Sequence, residues 1–167
     1  MLWGSITAYG VGDLCWVEET MDSEYYVSIL RDKVVNNLEW FKEHYGMDPN
    51  KFIFQHDNAA IHMARRVQDY LKEANIKVLR WPANSLDLNP IELVWAYIKQ
   101  RLDDYSTIAK DLEELFKRVE DIWNSLPNDY LPSLYEALPG KMRMLVRTKG
   151  LHSHLKSTNV VGRKNKE

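Results

Sequence analysis

Two acidic residues lie at points where the chain changes from one element to the next. Asp57 directly follows a short apolar run, residues 51–56, that is typical of a strand. Glu92 comes just after Pro90, at the predicted start of a helix. Functional groups in open α/β sheets gather at strand ends and in the loops that follow them. Carboxylates that meet there suit Mg²⁺, which prefers hard oxygen ligands and binds through a few carboxylates plus the phosphates of a substrate.

Both residues also have an ordinary structural interpretation. Asn89, Pro90 and Glu92 have the form of a capping box, with Asn89 as N-cap, Pro90 at the first helical position and Glu92 reaching back. Asp57 alone is compatible with a turn residue at the end of a strand. Considered without any family pattern, these residues favour helix capping over metal binding.

Polar residues near Asp57 leave several roles open. His62 either orients a phosphate or a carboxylate, or it caps and packs at the start of a helix, and Asn58 directly follows Asp57. A zinc site built on His56 and His62 is disfavoured, because the sequence offers no third or fourth soft ligand for it.

Cationic residues on two predicted helices are candidates for contacts to phosphate groups. Lys99 lies two helical turns after Glu92 and therefore shares its face. It either contacts a phosphate or remains a solvated lysine. Arg65 and Arg66 lie on the polar side of their helix, with the same two alternatives.

Alternating strand and helix patterns predict an α/β fold with a hairpin at one end. Leu2 to Ala8 and Asp13 to Glu18 read as strands joined by a glycine turn at 9–12. The remaining predicted elements, in chain order, are a helix capped by Asp22 or Ser23 and ending at Gly46, a strand at 51–56, a helix at 60–74, a strand at 76–81, a loop at 82–89, a helix from Pro90, a helix capped by Ser106, a proline-punctuated stretch at 127–139 and a short basic helix to Gly150.

Length and composition bound the class of protein. With 167 residues and 45% apolar residues, the chain is expected to form one domain. Lys141 to Glu167 contain eight basic residues and one acidic residue, a net charge of +7, which leaves −9 for the rest of a chain whose total is −2. The basic tail either sits on phosphates or is solvated. The single cysteine, Cys15, excludes an internal disulfide, and neither a signal peptide nor an apolar run long enough for a membrane span is found.

Two long segments carry a resemblance to a known family. Phe52-Ile53-Phe54-Gln55-His56-Asp57-Asn58-Ala59-Ala60-Ile61-His62 is the first, and Trp81-Pro82-Ala83-Asn84-Ser85-Leu86-Asp87-Leu88-Asn89-Pro90-Ile91-Glu92-Leu93-Val94-Trp95 is the second. Together they resemble the DDE transposases of the mariner type, which have an Asp-Asn-Ala…His element and an Asn-Pro-Ile-Glu element. The 34 residues between Asp57 and Glu92 are the spacing of one large branch of that family. The resemblance covers nearly the whole chain.

That resemblance implies a ribonuclease-H-like fold, a mixed sheet flanked by helices. It implies Asp57 and Glu92 as catalytic, metal-binding residues for two Mg²⁺ or Mn²⁺ ions, and it makes Asn58, His62 and Lys99 candidates for contacts to DNA or to the metal ligands. It also implies DNA strand cleavage and transfer as the activity, with terminal inverted repeats and target DNA as the DNA partners. A homodimer is a possible further partner, and no membrane association is expected. The expected location is nuclear in a eukaryote and cytoplasmic otherwise.

One departure from the family pattern matters most. In the family a first aspartate lies on the first, central strand, before the segment that corresponds to Trp3-Gly4-Ser5-Ile6. Residues 1–150 are therefore expected to form a partial catalytic domain that lacks this strand. Residues 151–167 are expected to form a flexible basic tail. Asp13 and Asp22 are not expected to replace the aspartate, and the chain is expected to be inactive alone. The hairpin and the Asp57 strand should then expose unpaired edges unless they close onto each other. Two alternatives are a non-catalytic remnant that binds DNA or an intact transposase, and a nuclease of the same fold acting on another substrate such as an RNA–DNA hybrid.

Overall fold

The computed structural model describes residues 1–147 except 19, 47, 82–84, 86 and 87. Its elements, in chain order, are β1 (Leu2–Thr7), β2 (Gly10–Trp16), α1 (Ser23–Ile29), a π-helical stretch (Leu30–Val35), α2 (Asn36–Tyr45), a 3₁₀ turn (Pro49–Lys51), α3 (Arg65–Glu73), α4 (Pro90–Asp103), α5 (Leu112–Asn124) and α6 (Tyr130–Arg147). The predicted basic tail and most of the predicted 82–89 loop lie outside the described residues. None of the described helices is long and apolar enough to cross a membrane.

The N-terminal hairpin forms, but its turn is shorter than predicted. β1 and β2 pair antiparallel, and Ala8 and Tyr9 make the turn, so the glycines lie in β2. The Thr7 hydroxyl closes this turn by accepting the Tyr9 N–H at 3.1 Å. Gly12 is needed for close approach instead, because a Cβ there would lie 2.3 Å from Ser5 Oγ.

The first long helix begins and ends where the sequence predicts. The Asp22 carboxylate accepts the backbone N–H groups of Glu24 and Tyr25 at 2.9 and 2.8 Å, so Asp22 caps α1. The helical path continues through the π-helical stretch into α2 and ends at Gly46, whose φ of 62° is the left-handed conformation that glycine adopts readily.

The predicted strands at 51–56 and 76–81 are reduced to one parallel bridge between Phe54 and Val78. The described residues therefore contain a two-stranded antiparallel sheet and this bridge, which is less regular sheet than the mixed sheet without its central strand that the resemblance implied. β1 is hydrogen-bonded to β2 alone among the described strands, so the hairpin does not close onto the Asp57 segment. Two strands paired only with each other lack the neighbours that stabilise a regular ladder.

The last two helices differ from the prediction at their starts. α5 begins after Asp111 and not after Ser106, because the Asp111 carboxylate accepts the Glu114 N–H at 2.8 Å. The proline-punctuated stretch folds as part of α6, which is continuous through Pro132 and Pro139. Pro132 lies in the first turn, where its missing N–H would have no helical partner.

Two apolar clusters form the core, and the hairpin contributes to both. The first lies around α1, the π-helical stretch and α3, and Trp3 packs against it. The second lies around α4, α5 and the start of α6, and Ile6, Val11 and Leu14 of the hairpin pack against it. A cavity of about 590 Å³ lies between β1 and the segment 52–57.

Candidate metal site

Asp57 lies at the end of the segment 52–57, where the chain turns towards α3. Its Oδ1 accepts the Ala59 N–H at 3.0 Å and lies 2.7 Å from Nδ1 of His62. Its other oxygen, Oδ2, makes no hydrogen bond to a described residue. The turn interpretation and the ligand interpretation are therefore compatible, since one oxygen holds the turn and the other is left for a ligand.

Glu92 lies in the first turn of α4, but the predicted capping box does not form. Asn89 occupies the N-cap position without a capping bond from its side chain. The Glu92 N–H, which such a side chain would take, is bonded to the Asn89 carbonyl at 3.1 Å. The Glu92 carboxylate makes no hydrogen bond or ion pair within the described part of the chain, so it is held only by the helix that carries it.

The tertiary structure brings the two carboxylates to one place. Asp57 and Glu92 both line the cavity between β1 and the segment 52–57. Burial raises the pKa of the Glu92 carboxyl, and the charge of Asp57 raises it further. Burial is the larger of the two causes, because a carboxylate loses favourable hydration when it is shielded from water. Leaving the undescribed positions aside, no group of three acidic, histidine or cysteine residues is arranged to hold a metal ion, and Asp13 does not line the cavity.

Tyr26, His56 and His62 form a buried aromatic stack next to Asp57. The Tyr26 hydroxyl lies 3.1 Å from Nδ1 of His56, and the His56 and His62 rings are nearly parallel with centroids 5.0 Å apart. The Tyr26 ring centroid lies 4.3 Å from that of His62. The stack fixes the ring of His62, which in turn holds one oxygen of Asp57.

Tyr26 and His56 were not predicted as part of the site. Tyr26 precedes Leu30 and Val34 at helical spacing, which places it on the buried face of the predicted helix. His56 shares a strand face with Phe54. These two patterns pointed to burial, but the sequence carried no signal that the two side chains would meet.

The other predicted site residues lie at different distances from the carboxylates. His62 packs on the aromatic stack and orients the Asp57 carboxylate, but it does not cap α3, which begins after Ala64 without a side-chain cap. The Asn58 amide donates to the Trp81 carbonyl at 3.0 Å. Lys99 is exposed on α4 and does not line the cavity. Arg65 pairs with Asp69, and Arg66 pairs with Glu24.

The buried His56 ring predicts a loss of stability in mild acid. Burial, followed by the influence of His62, lowers the pKa of His56 to about 4. An unfolded histidine has a pKa near ~6.5, so below that pH the unfolded state binds a proton that the folded state does not. Stability that is present above pH ~6.5 is then lost as the pH falls towards 4. We expect His56 to contribute a loss of roughly 2 kcal/mol between pH 7 and pH 5.

Urea unfolding at both pH values checks this expectation. His56→Gln should remove most of this pH dependence, whereas His44→Gln, which changes an exposed ring stacked on Trp40, should keep it. The same pH slope in the wild type and in His56→Gln would contradict the assignment.

Comparison with known proteins agrees with the sequence resemblance. The family model described as DDE superfamily endonuclease matches residues 1–116. The chain is 31% identical to the Tc3 transposase of Caenorhabditis elegans over 150 residues, which are 90% of this chain and 44% of that protein. It is 29% identical to the Tcb1 transposase of Caenorhabditis briggsae over 150 residues, 90% of this chain and 52% of that protein.

A solved structure shows the same fold. The catalytic domain of the Mos1 mariner transposase matches with a TM-score of 0.79 and 24% identity, covering 91% of this chain and 74% of that one. The chain spans about half the length of the curated relatives it matches. With the family model matching more than two thirds of its residues, this chain belongs to the DDE superfamily endonuclease family, as its Asp57 and Glu92 segments predicted.

Proposed function

We propose that this chain is part of the catalytic domain of a DNA transposase, in which Asp57 and Glu92 hold a divalent cation for DNA strand cleavage and transfer. The observation that carries the proposal is that two carboxylates from different elements line one cavity and retain oxygens without hydrogen-bond partners among the described residues. The similar Mos1 catalytic domain has been solved with raltegravir and Mn, and with raltegravir and Mg, which supports the choice of cation.

The residues at hand fit part of a Mg²⁺ or Mn²⁺ site. Asp57 offers Oδ2 and Glu92 offers its whole carboxylate, and Mg²⁺ is commonly held by one or two carboxylates plus waters and substrate phosphates. A bound pair of such ions supplies charge stabilisation at the attacking and leaving oxygens of the phosphodiester. Within this chain His62 and the Ala59 N–H keep the Asp57 carboxylate in one orientation. The two ligands alone should bind weakly.

We also infer that the sheet formed by the described residues lacks its central strand, and with it a third carboxylate. The support is that β1 and the segment Phe52–Asp57 line the same cavity without a backbone hydrogen bond between them among the described residues. On this proposal residues 1–150 are part of a catalytic domain, and 151–167 are a basic tail.

DNA is the proposed partner. Mos1 has been solved as a paired-end complex with Mn and as a strand transfer complex. By analogy we propose transposon ends and target DNA as substrates, and a homodimer as the working form. Lys99, exposed on α4, is proposed to contact a phosphate, and the Asn58 amide, anchored on Trp81, to help place the loop that carries Asp57.

Metal binding tests the proposal directly. Mn²⁺ added to the ¹⁵N-labelled chain should broaden the amide signals of Ala59 and His62 and of the first turn of α4. Asp57→Asn and Glu92→Gln should each reduce this broadening by about tenfold or more, because each removes one of two charged ligands.

Asp13→Asn is the matched control, since it removes a carboxylate of β2 that does not line the cavity. Its Mn²⁺ titration should overlay that of the wild type. Equal broadening in the wild type, Asp57→Asn and Glu92→Gln would refute the metal site and would favour the alternative of a non-catalytic remnant that binds DNA or an intact transposase.

A further inference from the structure

We propose that Trp81 is a positioning residue, which fixes the place of Glu92 relative to Asp57. Its backbone is hydrogen-bonded to the loop that carries Asp57, and its indole ring to the turn that precedes Glu92. These two contacts are called the Trp81 link. The positioning role rests on the proposed function, because it matters for a cation that both carboxylates hold. The placement of the two segments, by contrast, does not depend on a cation.

The first contact follows from the pairing of two parallel segments. Phe54 and Val78 form a parallel bridge, in which both backbone groups of Phe54 are hydrogen-bonded to the neighbouring segment. Parallel segments advance at the same rate per residue, so three residues further along Asp57 is expected level with Trp81. The Asn58 side-chain amide donates to the Trp81 carbonyl at 3.0 Å, in agreement with this register. The two segments therefore stay joined at the level of the Asp57 carboxylate.

The indole ring of Trp81 makes the second contact. Its N–H donates to the Ser85 carbonyl at 3.3 Å. The same carbonyl accepts the Leu88 N–H at 3.2 Å, and Leu88 is buried. Leu88 directly precedes Asn89, the N-cap residue of α4. Trp81 therefore holds the turn from which α4 begins.

Glu92 depends on this turn more than Asp57 depends on its own loop. The Asp57 carboxylate is held by the Ala59 N–H and by His62. The Glu92 carboxylate has no such contact among the described residues, and the N-cap side chain of its helix makes no capping bond. The position of Glu92 is therefore set by the start of α4. Loss of the Trp81 link should displace Glu92 and leave Asp57 in place.

A role of Trp81 in packing alone is the alternative. Trp81 is partly buried and lines the cavity, so a smaller side chain there also removes packing. Val94 and Ile98 anchor the later turns of α4 in the core, so the helix as a whole does not rely on Trp81. A packing role predicts that metal binding weakens equally at both carboxylates. The Trp81 link predicts an unequal loss, at Glu92.

Trp81→Phe keeps an aromatic ring and removes the indole N–H. In the chain without metal, hydrogen exchange at the Leu88 amide should become about fivefold to tenfold faster, because its turn loses an anchoring hydrogen bond. The Phe54 amide, which donates to the Lys77 carbonyl, should exchange as in the wild type. An unchanged Leu88 amide would refute the Trp81 link.

Mn²⁺ added to the ¹⁵N-labelled Trp81→Phe chain gives the second measurement. The dissociation constant for Mn²⁺ should rise about tenfold, the usual cost of losing a group that orients a metal ligand. Broadening of the Ala59 amide should persist at high Mn²⁺, since Asp57 stays in place, while broadening of the Glu92 amide should largely disappear. Equal reduction at the two amides would support the packing role and overturn the proposal.

Trp16→Phe is the matched control. Trp16 is also partly buried, packs beside Phe116 and does not line the cavity. Its Leu88 exchange and its Mn²⁺ titration should overlay those of the wild type, and urea unfolding checks that both phenylalanine variants are folded. If Trp16→Phe weakened Mn²⁺ binding as much as Trp81→Phe does, the loss would belong to tryptophan packing in general, against the proposal.

Asn58→Ala removes the same link at its other end. It should therefore also reduce the broadening of the Glu92 amide relative to that of the Ala59 amide. Because either substitution breaks one continuous link, the double variant with Trp81→Phe should bind Mn²⁺ no more weakly than the weaker single variant. Losses that multiply in the double variant would mean two independent contacts and would count against the link.

The outcomes separate the Trp81 link from the metal function. If the wild type shows no saturable broadening at Ala59 or Glu92, the proposed metal site fails. Faster Leu88 exchange in Trp81→Phe then still supports the link, and unchanged exchange refutes it. If the wild type binds Mn²⁺ at both carboxylates and Trp81→Phe broadens the Glu92 amide equally well, the metal site stands and the positioning role fails.

Discussion

Replacing Trp123 with alanine should lower the free energy of unfolding by about 3–5 kcal/mol, the range for truncating a large buried aromatic side chain. Trp123 is 1% exposed and stacks on Trp95 with ring centroids 5.4 Å apart. Its indole N–H donates to the Gly12 carbonyl at 3.1 Å. One side chain thus joins α5 to α4 and to the hairpin, so its loss removes packing and a partly buried hydrogen bond together.

Urea unfolding of Trp123→Ala measures this loss, with Trp40→Ala as the control. Trp40 is 44% exposed on α2, stacks on the exposed ring of His44 and makes an edge contact to the buried ring of Phe41, so its truncation should cost about 1 kcal/mol or less. Similar losses in the free energy of unfolding in the two variants would mean that Trp123 does not anchor the hairpin. It would then not hold β1 in place beside the cavity either.

Replacing Tyr26 with alanine should cost a comparable amount, about 3–5 kcal/mol, and should also weaken Mn²⁺ binding at Asp57. Tyr26 is 1% exposed in the first apolar cluster and contacts both His56 and His62. When the Tyr26 ring is removed, the His62 ring loses the surface against which it packs. The Asp57 carboxylate then loses its preferred orientation. The measurements are urea unfolding and the Mn²⁺ titration of the Ala59 amide.

The adjacent Tyr25 provides a matched control, because it is 41% exposed on the same helix. Tyr25→Ala should change the free energy of unfolding by no more than about 1 kcal/mol and should leave the Mn²⁺ titration unchanged. Tyr26→Phe keeps the ring and removes the hydroxyl that faces His56, so it should cost about 1–3 kcal/mol and preserve most of the metal response. A Tyr26→Ala variant with an unaltered Mn²⁺ titration would show that the stack supports the fold and not the site.

These two residues belong to different parts of the core. Trp123 lies in the cluster around α4 and α5, and Tyr26 lies in the cluster around α1 and α3. The cavity lies between β1 and the segment 52–57 and is lined by residues from both sides.

The sequence by itself determined the features that depend on a few neighbouring residues. Asp22 caps α1, Gly46 ends α2 and Pro90 opens α4 as predicted, because each acts through its own φ angle or through donors within three positions. The segments around Asp57 and Glu92 were sufficient to name the family, since their residue pattern is long and irregular.

Only the tertiary structure decided which distant groups meet. It placed Asp57 and Glu92 on one cavity, stacked Tyr26 on His62, reduced two predicted strands to the bridge between Phe54 and Val78, and kept α6 helical through Pro139. The physical reason is that sheet pairing and core contacts join residues far apart in the chain. The free energy of these long-range contacts depends on which neighbours are present in the folded structure. The local sequence around a strand or a proline is the same whether or not those neighbours are present, so it does not predict the contacts.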